Sequence, residues 1–308
     1  MLCYPERHQN KTRQAPHPAI KKPGEVFKEL RKSRNVSLQE ATGGEFTYSM
    51  LSKFERGEAD LSSMKLITAL DNIHSDLNEF MYLVRGFSQK KVLAFQENLW
   101  DLYDREGIDS LHSLYEETTQ KYRSSAKKSY LLQMIRIKSL LVFFDSEIRA
   151  TDEELTFLYD YFFTIDIWGN YELELFSTIS TLFPLPLYFK YSREMLQKTD
   201  LLGSLPSNKV GIDTILINGL FKAIEENDKL KADYFIFQIE KRELPESQAY
   251  LKIIYMIAKG YYDTIFNVKN KGLEKIRRGI TILQDLEYVD GARYYENYFA
   301  NQLSNKDL

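Results

Sequence analysis

Helical periodicity that is interrupted at regular intervals is the feature that most limits the fold of this 308-residue chain. After Ser88, apolar residues recur at helical spacing, and strand-like alternation of apolar and polar residues is absent. Turn signals such as Gly107, Pro184 and Pro245 separate these runs about every 20 residues, the length of one helix in a hairpin array. Gly and Pro number only 14 and 8, against 21 Tyr and 19 Phe. We therefore expect an all-α protein, with helices over residues 126–147 and 152–166 among others and a helix break at residues 290–291.

The long helical region has a period close to that of known helical repeats. Two helices per unit would give roughly five units of about 34 to 42 residues, near the tetratricopeptide period. Only fragments such as Ala258, Gly260 and Tyr261 match the small and aromatic positions of that repeat. We therefore predict a right-handed α-solenoid of tetratricopeptide-like helix pairs without assigning the repeat itself. Such an array has a concave surface that suits a peptide or a protein segment.

The N-terminal part of the chain is organised differently. Residues 1–23 are polar and basic and contain four prolines, so we expect a disordered arm. Five short helical segments follow, over residues 25–33, 37–42, 48–55, 62–72 and 76–84, and Ser37, Thr47 and Ser62 or Ser63 are suited to cap them. The sequence therefore predicts an arm over residues 1–23, a five-helix domain over 24–85 and the helical array over 86–308.

Composition argues against several classes of protein. The single cysteine, Cys3, and four histidines lack the spacing of metal ligands, and we predict neither a metal site nor a cofactor. Phosphate-binding loops, dinucleotide glycine motifs and nucleophile elbows are missing, so we do not expect an enzyme. With no run of about 18 apolar residues and no signal peptide, a cytoplasmic protein that does not enter a membrane is expected. The formal net charge is -3, but the first 35 residues are basic, which weakly favours nucleic-acid binding.

The strongest local signal lies between Leu30 and Gly57. The segments LRKSRNVSLQE, over residues 30–40, and TYSMLSKFERG, over residues 47–57, resemble the helix-turn-helix of phage repressors and their bacterial relatives. That pattern joins an arginine on the first helix to a glutamate that ends the third, and Arg31 and Glu55 occupy these positions. The resemblance further implies that residues 48–55 form the recognition helix and that the module binds double-stranded DNA.

The same resemblance assigns roles on the DNA. The first turn of the recognition helix and the next turn would face the major groove with Tyr48, Ser49, Ser52 and Lys53. Lysine can donate to guanine, serine can contact any base, and a tyrosine ring can pack on a thymine methyl. Phosphate contacts are expected from Arg56, Lys32 and Arg34.

One position departs from the helix-turn-helix pattern. Relatives carry a phosphate-binding glutamine at the second position of helix two, where this chain has Leu38. Gln39 or the Ser37 hydroxyl could replace part of that contact. The same departure favours the rival hypothesis, a protein-binding adaptor whose N-terminal module no longer binds DNA.

Taken as a whole, residues 24–304 resemble the Rgg/GadR/MutR family of regulators. Besides the N-terminal pattern, the segment IWGNYELELF, over residues 167–176, resembles the family's mid-chain tract of Trp, Tyr-Glu-Leu and Phe. The resemblance implies a homodimeric transcription regulator that binds a promoter operator and senses a short, imported hydrophobic peptide, as in quorum sensing.

Candidate peptide contacts lie in the second half of the chain. Aromatic side chains mixed with amides suit an extended peptide, whose backbone hydrogen bonds must be matched inside a groove. The residues that we expect there are Asn170, Tyr171, Phe176, Tyr188, Tyr191, Asn218, Phe221, Lys222 and Phe237. A core role is the alternative, because aromatic stripes at helical spacing pack more often than they bind.

Aromatic residues near the C-terminus suggest a dimer contact. The set consists of Tyr288, Tyr294, Tyr295, Tyr298 and Phe299. Two recognition helices must lie about 34 Å apart to read successive major grooves, so geometry also favours a homodimer.

Overall fold

A computed structural model of the chain describes residues 21–86, residue 95 and residues 99–304 except 100, 104, 143, 146 and 200. All regular secondary structure in these residues is helical, as predicted. They divide into two compact units, one containing residues 21–86 and the other residues 99–304. The predicted arm lies outside the described residues up to position 20.

Five short helices build the first unit. They are α1 (Pro23–Ser33), α2 (Leu38–Thr42), α3 (Tyr48–Glu55), α4 (Ser63–Asn72) and α5 (Leu77–Val84). Side-chain oxygens of Ser37, Thr47, Ser62 and Asp76 accept hydrogen bonds from amides in the first turns of α2 to α5. These local caps explain why α2 to α5 begin within one residue of their predicted starts.

The core of the first unit is small and draws on every helix. Phe27 from α1, Leu51 from α3, Leu70 from α4 and Phe80 from α5 are fully buried in it, together with Ala41 from α2. Helix α3 packs against both α1 and α2. One face of α3 is therefore fixed to the core, and the opposite face remains at the surface.

Longer helices build the second unit. They are α6 (Ile108–Ser125), α7 (Lys128–Leu141), α8 (Asp152–Phe163), α9 (Asn170–Thr178), α10 (Leu185–Lys198), α11 (Pro206–Glu225), α12 (Lys229–Arg242), α13 (Ala249–Phe266), α14 (Lys269–Asp285) and α15 (Val289–Ser304). Short 3-10 turns follow α9 at Ile179–Leu182 and precede α13 at Glu246–Gln248.

Several predicted boundaries in this unit need correction. A helix was expected over 126–147, but it covers only Lys128–Leu141. It begins later than expected because Ala126 adopts a left-handed conformation with φ of 52° that ends α6. The helix expected over 152–166 ends at Phe163. The break expected at residues 290–291 lies before Val289, where Glu287 has φ of 60°.

Consecutive helices of the second unit pack as hairpins. The pairs α6 with α7, α11 with α12 and α13 with α14 have extensive contacts. Helix α11 also contacts α9, α10 and α13, so it lies at the centre of this unit. Most of its side chains are buried in one continuous apolar core.

Glycines permit an unusually close approach between α13 and α14. A Cβ atom added at Gly272 would lie 2.4 Å from the Thr264 amide nitrogen and 2.5 Å from the Gly260 carbonyl oxygen. Because these obstacles are backbone atoms, rotation of a side chain cannot relieve the clash. The two helices are therefore in backbone contact along this part of the hairpin.

Candidate functional site

Helix α3 presents a polar face to solvent. Tyr48 is 64% exposed, Ser49 and Lys53 are exposed, and Ser52 is partly exposed. On the opposite face Leu51 is fully buried. The four side chains that the resemblance assigned to base contacts therefore share one outward surface of α3, with a width that a major groove can accept.

A buried ion pair fixes the direction of α3. The Arg31 guanidinium donates from Nε to Glu55 Oε1 at 2.6 Å and from Nη2 to Glu55 Oε2 at 2.8 Å. Its Nη1 donates to the Val36 carbonyl at 2.7 Å. Hydrogen bonding to Glu55 raises the pKa of Arg31 above its ordinary value. This fork joins α1, the turn before α2 and the end of α3, so the orientation of α3 depends on it.

Arg56, at the end of α3, is already engaged at the surface. Its Nε and Nη2 donate to the two carboxylate oxygens of Glu58 at 2.6 and 2.7 Å, and Nη1 donates to the Ser52 hydroxyl. Both Arg56 and Glu58 are exposed. A phosphate would have to replace Glu58 as the partner of this guanidinium.

The other predicted phosphate contacts lie at the start of α2 and the end of α1. Lys32 and Arg34 are exposed, and Arg34 donates to the Leu30 carbonyl at 3.3 Å. The Ser37 hydroxyl accepts the Glu40 amide hydrogen at 3.1 Å, while the Glu40 carboxylate accepts the Ser37 amide hydrogen at 2.7 Å. Ser37 is thus the N-cap of α2.

Leu38 packs against the apolar core of the first unit, whereas its neighbour Gln39 is exposed. The leucine at this position therefore has a packing role. Ser37 and Gln39 are the two side chains that we considered as replacements for the missing glutamine. Ser37 caps α2, whereas Gln39 does not.

Sequence reasoning missed Lys65, which lies beside the recognition helix. Its ammonium is 3.9 Å from the Met50 sulfur and 6.0 Å from the centre of the Phe46 ring. Lys65 belongs to the first turn of α4, where the helix dipole disfavours a cation. A lysine at such a position was the signal that could have marked it.

In the second unit, four predicted ligand contacts are core residues. Phe176, Tyr188, Tyr191 and Phe221 are fully buried, and the Phe176 ring stacks on Tyr188 with centroids 4.9 Å apart. The Tyr188 hydroxyl donates to the Ile215 carbonyl at 2.7 Å. The structure gives these rings a packing role, and their predicted contact with a peptide stays a prediction.

The remaining candidates differ in their exposure. Asn170 is exposed at the start of α9, and Phe237 is 61% exposed on α12. Tyr171 is partly buried, and this burial raises the pKa of its hydroxyl above the ordinary value. Asn218 is 2% exposed, and Lys222, one turn later on α11, is partly buried.

Polar or small residues recur at helical spacing along α11, which also carries Asn208, Lys209 and Asp213 at other positions. The residues of this α11 stripe, spaced three or four apart, are Ser207, Gly211, Thr214, Asn218, Lys222 and Glu225. Spacing of this kind places all six on one side of the helix. Exposure along the stripe is greatest at its ends, Ser207 and Glu225, and least at Asn218. Sequence reasoning found Asn218 and Lys222 but not Thr214 or Ser207, although the spacing was visible in the sequence.

The aromatic residues near the C-terminus pack within their own chain. Tyr295 and Phe299 are fully buried, with Tyr295 stacked on Phe221 at 6.3 Å and Phe299 against Tyr261 at 5.2 Å. The hypothesis that all five aromatic residues form a dimer contact is therefore wrong for these two. Their rings cover the end of the array's own core.

The described part of the chain lacks two further classes of site. No three His, Cys, Asp or Glu side chains there are grouped as metal ligands. Likewise, none of its helices combines the length and apolar character that crossing a bilayer requires.

Comparison with known proteins assigns the family. Residues 112–297, more than half of the chain, match the C-terminal domain of the HTH-type transcriptional regulator Rgg. The fold is similar to that of the Streptococcus dysgalactiae SHP pheromone receptor Rgg2, with 22% identity, a TM-score of 0.75 and coverage of 91% of this chain and 99% of the receptor. The PrgX/cCF10 complex is similar at 16% identity and a TM-score of 0.71, over 91% of this chain and 99% of PrgX. Because the family match spans most of the helical array, the chain belongs to the Rgg family of transcriptional regulators.

Proposed function

We propose that this chain is a sequence-specific DNA-binding transcription regulator whose helical array senses a short hydrophobic signalling peptide. Residues 24–85 would bind a promoter operator, and residues 86–308 would bind the peptide and hold two copies together as a homodimer. We place this activity in the cytoplasm, where bacterial DNA is accessible.

The outward polar face of α3 is the observation that carries the DNA-binding part. A recognition helix must be held to the core by one face and expose the other to DNA. Helix α3 meets the first need through the Arg31–Glu55 pair and the second through its exposed polar face. We assign base contacts to Tyr48, Ser49, Ser52 and Lys53, and phosphate contacts to Lys32, Arg34, Arg56, Ser37 and the newly found Lys65. The exposed cations Lys32, Arg34 and Arg56 and the partly buried Lys65 would supply the attraction for phosphates.

Two observations support the peptide-sensing part. The structurally similar Rgg2 is described as a pheromone receptor, and PrgX was solved in complex with cCF10. In this chain the α11 stripe places polar groups at the centre of the array, where an extended peptide requires hydrogen-bond partners. We assign peptide contacts to this stripe together with Asn170 and Tyr171.

Paired substitutions on α3 test the proposal. Lys53→Ala should weaken binding to the promoter DNA beside the gene by about 1–3 kcal/mol at particular base pairs, because a base contact is lost. Arg56→Ala should weaken binding about equally on all sequences and reduce the log–log salt slope by about 1, because a phosphate contact is lost. Fluorescence anisotropy on operator and scrambled duplexes separates the two effects. Unchanged affinity in both variants would contradict DNA binding through α3.

A further inference from the structure

Lys222 is a cation without a matching anion. Its side chain lies on the α11 stripe, is partly buried, and has its ammonium 5.9 Å from the centre of the Tyr188 ring. Among the described residues, this ring is its specific contact, and the ammonium has neither a hydrogen bond nor an ion pair. Burial lowers the pKa of Lys222, as expected for a charge that is partly removed from water and only partly compensated.

The nearest carboxylates are already committed elsewhere. Glu225 accepts a hydrogen bond from the Tyr298 hydroxyl at 2.7 Å, and Glu226 accepts one from the Leu185 amide at 3.3 Å. Both raise the pKa of Lys222 only through space, and less than burial lowers it. The two carboxylates therefore favour the charged form of the Lys222 ammonium through space, but neither of them pairs with it directly.

The buried cations Arg136 and Lys138 of the second unit are paired, unlike the partly buried Lys222. Lys138 donates to both carboxylate oxygens of Glu154, at 2.7 and 2.6 Å, and Arg136 bonds Glu174. Buried charges in proteins are usually paired in this way, because an isolated one costs several kcal/mol, roughly, in desolvation. A cation–π contact, worth about 0.5–2 kcal/mol, offsets only part of such a cost for Lys222.

The surroundings of Lys222 favour a singly charged anion. A phosphate carries about two charges at neutral pH and needs several donors, whereas one ammonium is present here and Glu225 and Glu226 lie close by. A carboxylate needs one cation and a small number of donors. It is also the anion that a peptide carries, either at its C-terminus or on an acidic side chain.

We propose that Lys222 binds a carboxylate of the signalling peptide, so that the array selects apolar peptides that carry one negative charge. This inference rests on the proposed peptide-sensing function. The peptide charge would replace water at the ammonium and complete an ion pair over the Tyr188 ring.

The test uses four synthetic pools of apolar octapeptides incubated with the full-length protein, with retained peptides counted by mass spectrometry. All four pools are N-acetylated: one has a free C-terminal carboxylate, a second is amidated and contains one glutamate, a third is amidated and neutral, and a fourth is amidated and contains one lysine. We expect at least one acidic pool to be retained about tenfold more than the neutral pool. The preferred acidic pool identifies whether the peptide terminus or a side chain supplies the charge.

Lys222→Met and Lys222→Arg are the matched variants, because Met keeps the apolar stem and Arg keeps the charge. Met should abolish the tenfold preference, and Arg should retain most of it. Thermal unfolding without peptide should show that Met is at least as stable as the wild type, since it removes an uncompensated cation. A lower melting temperature for Met with an unchanged preference would instead make Lys222 a structural residue and overturn the proposal.

Two failures remain distinguishable. Equal retention of neutral and acidic pools by the wild type would contradict the role of Lys222 while leaving peptide sensing intact. Retention of no pool above that on an unrelated protein of similar size would contradict peptide sensing itself, and the role of Lys222 with it.

Discussion

The two units carry their candidate binding residues in opposite ways. In the first unit the residues lie on the outward face of α3, a short helix that touches the core along one side only. In the second most of them lie on α11, which contacts α9, α10, α12 and α13 and has most of its residues buried. The candidate face of α3 is the side left free by packing, whereas that of α11 is a polar stripe on a helix packed on most sides.

This difference has consequences for how each unit is stabilised. The first unit has a small core and relies on one buried ion pair to set the orientation of its functional helix. The second has a continuous core and relies on close helix contacts, such as that between α13 and α14. Removal of a charge from the ion pair should therefore destabilise the first unit, and added side-chain volume at a close helix contact should destabilise the second.

The largest effect is expected at the ion pair of the first unit. Glu55→Ala should lower the free energy of unfolding by about 3–5 kcal/mol, because it leaves the Arg31 guanidinium buried without its carboxylate. Urea unfolding, followed by hydrogen exchange of residues 23–55, measures this loss. The exposed pair of Lys21 and Glu29 is the control, and Glu29→Ala should cost no more than about 1 kcal/mol. Equal losses in the two variants would remove the special role of the Arg31–Glu55 pair.

A smaller loss is expected in the array. Gly272→Ala should cost about 1–3 kcal/mol, because the added methyl group would clash with backbone atoms of Gly260 and Thr264. Hydrogen exchange should rise in residues 249–285 and stay unchanged in residues 23–55. Asn270→Ala, at an exposed position of the same helix, serves as the control and should change stability by about 0.5 kcal/mol or less. If Gly272→Ala leaves exchange in α13 unchanged, the two helices are not in backbone contact.

The smallest effect concerns the attachment of the terminal helix to the α11 stripe. Tyr298→Phe should cost about 1 kcal/mol, because it removes the hydroxyl that donates to Glu225 at the end of the stripe. Glu225→Gln keeps an acceptor oxygen and should cost less. Thermal unfolding of both variants and of their double mutant gives the coupling energy of this pair. A coupling energy of zero would show that the two side chains do not stabilise each other.

Most of the first unit could be predicted because its signals are local. Caps at Ser37, Thr47 and Ser62 mark the helix starts in the sequence, and a helix with one buried side leaves the other side in solvent. The outward position of Tyr48 and Lys53 follows from that rule. What the sequence could not reveal is which side chains meet on the surface, such as Lys65 with Met50 or Glu58 with Arg56.

Ligand residues of the second unit were harder to predict because burial there depends on distant neighbours. The aromatic side chains of Phe176 on α9 and of Tyr188 and Tyr191 on α10 meet in the core. Their spacing along the chain does not tell an aromatic residue that packs in the core from one that lines a binding groove. On a helix that is packed on most sides, polar residues at helical spacing are a second pattern to consider. Thr214, Asn218 and Lys222 share this spacing, and their contact with a peptide stays a prediction.

The central claim is that the outward face of α3 reads a DNA sequence. Its most direct test is the affinity of the purified protein for the promoter DNA beside its gene and for a scrambled duplex, measured at several salt concentrations. We expect an affinity for the promoter that is roughly 10³-fold or more above that for the scrambled duplex, and a steep fall of both affinities as added salt reduces the gain from counterion release. Equal and salt-independent binding to the two duplexes, or no binding to either, would contradict the claim.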